Sequence, residues 1–171
     1  NKDDISWKKS LNMELTKYSI NHNNIERVEQ LFAKTNQINL SNIRKDEKRI
    51  IKEIKNKSIF HLFELKDKFG SSGIIAIISH KIIKKTFIIE DFIMSCRVFG
   101  RDIEFAILNF YVNIFFKKKL IKNFKVNFKK NKYNDLMQNI LVDYFSENKN
   151  FKIDKTFKSK KLNVNKFIKI K

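Results

Sequence analysis

A chain of 171 residues, 42% of them apolar, can bury one hydrophobic core and leaves little for a second, so a single domain spanning 1–171 is expected. The 37 basic and 18 acidic residues give a formal charge of +19, carried almost wholly by lysine. Arginine is scarce and proline absent, while lysine, asparagine, isoleucine and phenylalanine abound, so the charge reads as a general residue bias rather than the arginine-forked face of a nucleic-acid reader.

No nucleic-acid partner is therefore expected. A single cysteine, Cys96, excludes an internal disulfide and suits a reducing compartment. The longest apolar run, Ile103 to Phe116, is too short to span a membrane and is interrupted by Glu104, Asn109 and Asn113. With no secretory leader pattern at its start, the chain is expected to be cytoplasmic and without a membrane partner. The opening at Asn1, with a polar Asn-Lys-Asp-Asp lead, points to a piece of a longer protein.

Within residues 6–19, Leu11, Met13 and Leu15 alternate with polar neighbours and predict a short strand. Asn23 or Asn24 then caps a helix that presents Ile25, Val28, Leu31 and Phe32 on one face. A polar loop, KTNQINLSN over 34–42, leads to a second helix over 45–55, capped by Ser41 or Asn42 and burying Ile50, Ile51 and Ile54. Strands follow over 58–65 and 73–79, joined by a glycine-containing hairpin connection, KDKFGSS. A turn over 81–85 leads into the β-branched run 86–94, another strand, and the spacing over 102–118 predicts a helix. Residues 123–128 alternate as a half-buried strand, 133–145 form a helix with Leu136, Ile140, Leu141 and Tyr144 inward, and FKIDKTF and LNVNKFIKI supply two short strands at the end.

The stretch FIMSCRVFGRDIE, 92–104, links the run 86–94 to the following helix. Such a strand-to-helix turn aims backbone N–H groups and a helix dipole at what lies in front of it, which favours an anion or a thiolate. It holds Cys96, Gly100, Arg97 and Arg101, and is the expected place for chemistry.

The predicted order, β-α-α-β-β-β-α-β-α-β-β, resembles the GNAT acyltransferase fold, a mixed, mostly antiparallel central sheet flanked by helices. The strings RVEQLFAKTNQINL (27–40), KDKFGSSGIIAII (66–78), SCRVFGRDIE (95–104) and KKNKYNDL (129–136) resemble the C-terminal GNAT-like domain of FkbH-like proteins. In that family the domain follows a phosphatase-like domain of the haloacid dehalogenase (HAD) superfamily. The resemblance implies transfer of a glyceryl group from a phosphorylated three-carbon donor to the phosphopantetheine thiol of an acyl carrier protein, a supply line for polyketide-type biosynthesis. It implies the carrier protein and the N-terminal HAD-like domain as partners, and no metal in this domain.

On this likeness Cys96 is either the nucleophile that relays the acyl group or a buried core cysteine. His61 is a candidate general base or a satisfied strand histidine. Tyr144 lies where GNAT enzymes often keep a general-acid tyrosine, and is otherwise core. GNAT enzymes bind the pyrophosphate of coenzyme A, or a carrier-borne pantetheine phosphate, at a turn Q/R-x-x-G-x-G/A. Residues 97–102, RVFGRD, match it at Arg97 and Gly100 and depart at Asp102, where a carboxylate repels the anion. Arg97, Val98, Gly100 and Arg101 are expected to hold the phosphate, and a pantetheine arm with one phosphate tolerates Asp102 better than coenzyme A does. Asn36, Gln37 and Ser95 are expected to line the acyl pocket. The alternatives are an ordinary GNAT N-acetyltransferase using acetyl-CoA and a non-catalytic carrier-docking module. Lysines 117–119, 122, 125, 129, 130 and 132 form a solvated edge, a landing site for an acidic carrier, or both.

Overall fold

The computed structural model describes residues 2–145, 151–153 and 167–171. Its elements are α1 (Lys2–Ser10), β1 (Met13–Ser19), α2 (Ile25–Lys34), α3 (Glu47–Lys55), β2 (Ile59–Asp67), β3 (Gly70–Ile83), β4 (Thr86–Met94), α4 (Ile103–Lys117), β5 (Asn123–Val126), α5 (Asp135–Phe145), β6 (Lys152–Ile153) and β7 (Ile168–Ile170). A 3-10 turn, Cys96–Val98, sits between β4 and α4. Among the described residues, seven strands form one sheet in the order β6-β5-β4-β3-β2-β1-β7. The pairs are antiparallel except β4 with β5 and β1 with β7, so the expected mixed sheet is present.

The expected elements are present, with corrections. Helix α1 was not anticipated: KDDISWKKS has no apolar stripe, and its order comes from acids in the first turn, lysines in the last, and a buried Lys8. Asn24 precedes α2 but does not cap it with its side chain; its Oδ1 accepts from Asn21 N and its Nδ2 donates to Ser19 O. Helix α3 is capped by Asp46, which accepts from Arg49 N at 2.9 Å, rather than by Ser41 or Asn42. Only Ile50 of its three isoleucines is buried, since Ile51 and Ile54 face outward. Strand β3 runs on to Ile83, and the turn narrows to Lys84 and Lys85, whose φ values of 44° and 63° are those of a two-residue hairpin loop. Of the two terminal strands, only 152–153 and 168–170 lie within the described residues.

The sheet separates two packed layers. Helices α4 and α5 cover one face through Phe63, Leu65, Ile78, Phe87 and Met94, and α2 and α3 cover the other through Phe60, Leu62, Ile77 and Ile93. Helix α4 is buried nearly all round, from Ile103 through Phe115. Each large apolar side chain so buried contributes roughly 2 kcal/mol.

The sheet parts at the parallel pair β4–β5. Strand β5 pairs with Thr86 to Ile89 of β4 and no further. Beyond it, β4 bonds instead to Ile38–Leu40: Leu40 N donates to Phe92 O at 3.2 Å and Met94 N to Ile38 O at 3.1 Å. Lys129 N, just past β5, donates to Leu40 O at 2.9 Å, so this segment bridges the parting strands. Within the polar loop over 34–42, Ile38, Asn39 and Leu40 are buried, while Lys34 and Gln37 stay exposed.

Candidate active site

A cleft of about 550 Å3 opens where β4 ends, between the C-terminal half of α2 with the residues just after it and the 3-10 turn. It is lined by Asn36, Gln37, Ser95, Cys96 and Arg97, five of the residues singled out in the sequence. They come together because Ile38–Leu40 runs beside β4, which brings Asn36 and Gln37 up to the strand's end. Ser95 N donates to Ile75 O at 2.8 Å, fixing the exit from β4, and Val98 N and Phe99 N close the turn on Ser95 O and Cys96 O. Cys96 is exposed and lines this cleft, so the core reading of this cysteine is set aside. Arg97 donates from Nε to Ser95 Oγ at 3.2 Å. Asn36 Oδ1 accepts from Arg44 Nη2 at 2.5 Å, and Gln37 O accepts from Met137 N at 3.2 Å.

Two cations of this cleft were missed in the sequence, Arg27 and Lys34, both on α2. Arg27 is held by Ile74 O, at 3.3 Å from Nε and 3.2 Å from Nη2, and by Gln30 Oε1 at 3.2 Å from Nη1. Burial, and then the charge of Arg97, lower its pKa below the usual arginine value. Arg27, Arg97 and Lys34, with no carboxylate among the lining residues, give the cleft a positively charged lining of the kind that attracts anions. The available signal was an arginine spent on an amphipathic helix in a chain that otherwise uses lysine.

The other predicted residues lie elsewhere. His61, on β2, faces α4: its Nδ1 is 2.7 Å from Tyr111 Oη, and burial followed by the Lys17 charge lowers its pKa to about 4. It does not line the Cys96 cleft and is no base for that thiol. Tyr144 is fully buried and donates to Asn109 Oδ1 at 2.6 Å, a core tyrosine that reaches no cleft. Val98 is also core. Arg101 turns away to Asp67, Nη1 to Oδ2 2.7 Å, and Gly100 is exposed with φ +76°, which glycine adopts without strain.

Asp102 precedes α4 at φ 61°, makes no side-chain capping bond, and accepts through its Oδ2 from Lys8 Nζ at 2.7 Å. Lys8 also meets Asp4 at 2.8 Å, so α1 closes over the start of α4. The place expected for a pyrophosphate therefore carries the chain's own carboxylate and that carboxylate's counter-ion. The edge of β4 beside it is bonded to Ile38–Leu40. Asp102 and Lys8 thus stand together at the turn where the resemblance places a phosphate.

No protein-family pattern matches the chain, and no curated protein matches it. Its likeness is to solved acetyltransferase structures. The ribosomal-protein-S18-alanine N-acetyltransferase of Escherichia coli superposes with a TM-score of 0.54 at 9% identity, covering 74% of this chain and 73% of that one. The PaiA N-acetyltransferase of Thermoplasma acidophilum, solved in complex with coenzyme A, gives 0.54 at 14% identity, covering 82% and 98%. The chain thus has the GNAT acetyltransferase fold, as its order of elements predicted.

Proposed function

We propose that this chain is an acyl-transfer domain of the GNAT type whose working site is the Cys96 cleft. The likeness to N-acetyltransferases supports acyl transfer in general and favours N-acetylation as the plain form of it. The cleft favours a finer reading, glyceryl transfer to the phosphopantetheine thiol of an acyl carrier protein, with an N-terminal HAD-like domain as partner. One observation carries it: an exposed thiol stands in a carboxylate-free cleft beside Arg27, Lys34 and Arg97.

In this reading Arg27, Arg97 and Lys34 hold the arm's phosphate, while Asn36 and Gln37 border the acyl group. The Cys96 sulfur attacks the acyl carbon of the activated glyceryl group as its proton passes to solvent; a C–S bond forms, and the bond to the leaving phosphate or thiolate breaks. The carrier's thiolate then attacks the Cys96 thioester, takes the glyceryl group and returns the thiolate to Cys96. No side chain of His61 or Tyr144 takes part.

Intact-mass spectrometry of the chain incubated with a glyceryl thioester, and separately with acetyl-CoA and a set of amines, tests this. A glyceryl adduct on the wild type that is lost in Cys96→Ser is the expected result. Acetylation of an amine with no adduct on the protein supports N-acetylation instead. Carrier binding unchanged in Cys96→Ser, with neither reaction seen, leaves the docking module.

A further inference from the structure

A second, larger cavity, of about 740 Å3, lies on the other side of the bridging segment, between α3 and the β4–β5 gap. That volume is in the range of small-molecule sites. Its floor is built by a bulge: Asp91 pairs with Ser79 and Ile89 with His80, so Glu90 is an extra residue and both acids reach this cavity. Each acid is already engaged. Buried Lys45 bonds Asp91 Oδ2 at 2.6 Å and Glu53 Oε2 at 2.5 Å, and Ser79 Oγ donates to Asp91. Glu90 pairs with Lys81 and accepts from Ser58 Oγ at 2.7 Å, and Arg49 meets Glu53 at 3.2 Å.

The floor therefore holds three acids matched by three bases, and it offers no charge to a ligand. The wall does. Half-buried Lys125 on β5 and exposed Lys129 just beyond it line the cavity, and two cations on one wall suit the oxygens of a dianion. Beside the lysines stand Phe128 and Phe151, edge to face with ring centroids 5.8 Å apart, an apolar wall for a flat organic body.

We propose that this cavity binds a small organic phosphate, its phosphoryl group against Lys125 and Lys129 and its body against Phe128 and Phe151. The site shares no lining residue with the Cys96 cleft, so its test and that of the acyl-transfer reading stand apart.

Isothermal titration with phenyl phosphate, inorganic phosphate and benzyl alcohol provides the test. Phenyl phosphate is expected to bind at least about tenfold more tightly than either fragment, because it meets both the lysines and the apolar wall. The double variant Lys125→Gln/Lys129→Gln should lose about tenfold or more in that affinity. A second double variant, Lys68→Gln/Lys119→Gln, removes the same charge from exposed positions elsewhere and should bind as the wild type does. Phe128→Leu should weaken phenyl phosphate while leaving inorganic phosphate unchanged. Equal weakening in the two lysine variants would mean attraction to a chain of charge +19 rather than a site, and overturns the proposal, as does an absence of saturable binding by the wild type.

Discussion

His61 and His80 lie side by side on the α4 face of the sheet, their ring centroids 5.3 Å apart, with Tyr111 between them and the helix. Burial lowers both pKa values to about 4; Lys17 adds to this at His61, and His61, Lys118 and Lys17 add to it at His80. The folded protein holds both rings neutral down to that pH, while in the unfolded chain they take up protons near the ordinary value of 6.5. Between the two values the unfolded chain binds more protons, so stability is full above about pH 6.5 and falls as the pH drops toward 4. Urea unfolding at pH 7, 5.5 and 4.5 should show a loss on the order of 2 kcal/mol from His80, the more buried of the pair, and His80→Phe should flatten that slope. An unchanged slope in the variant would place the titration elsewhere. The same pair shows what single residues in a sequence conceal. A strand histidine can be seen to face inward, but its partner, Tyr111, arrives from a helix fifty positions away. For Cys96 the sequence leaves nucleophile and core cysteine both open, and only the fold shows the residue exposed.

At the scale of elements, the bridging segment Ile38–Leu40 is the device that joins the two halves of the site. It is held by two buried asparagines. Asn39 accepts from Ser41 N and Asn42 N, at 3.2 and 2.8 Å, and donates to Thr35 O at 3.0 Å. Asn134 donates from Nδ2 to Asn39 O at 3.1 Å and to Lys129 O at 3.0 Å, tying the segment to the chain beyond β5. Asn134→Ala leaves the buried carbonyl of Asn39 and the part-buried carbonyl of Lys129 without this donor, and a cost of about 1–3 kcal/mol is expected in thermal or urea unfolding. Asn134→Asp, which keeps the size and loses the donor, should cost at least as much, and hydrogen exchange at Leu40 and Met94 should quicken in both. A variant as stable as the wild type would show that the bridge is held by its backbone bonds alone. The strands were legible because alternation and β-branching are local, and β4 was found to the residue. Helix α1 was not, because its order rests on the ion pair from Lys8 to Asp102 rather than on an apolar stripe. The bridge is concealed for a related reason: KTNQINLSN reads as a polar loop, and only in the fold do Asn39 and Asn134 find their buried partners.

For the whole molecule, the lysine excess behaves as several surfaces rather than one. In the run from 117 to 132, Lys125 and Lys129 line the cavity beneath α3, Lys130 pairs with Asp135, and Lys117, Lys119 and Lys122 stay exposed. Under the proposed carrier reading, an acidic partner would meet the exposed group first, and charges at such a rim act on the rate of encounter more than on the lifetime of the complex. They are screened over roughly 8–10 Å at ordinary ionic strength, well short of the dimensions of the domain. Replacing Lys117, Lys119 and Lys122 by glutamate should therefore slow carrier association by about tenfold at low salt, with dissociation little changed, and the difference from the wild type should shrink as salt is raised. Stopped-flow or surface-binding kinetics at several salt concentrations read this directly. Loss through faster dissociation instead would place the carrier's contacts on these lysines themselves, and an unchanged rate would move the landing face away from this edge of the molecule.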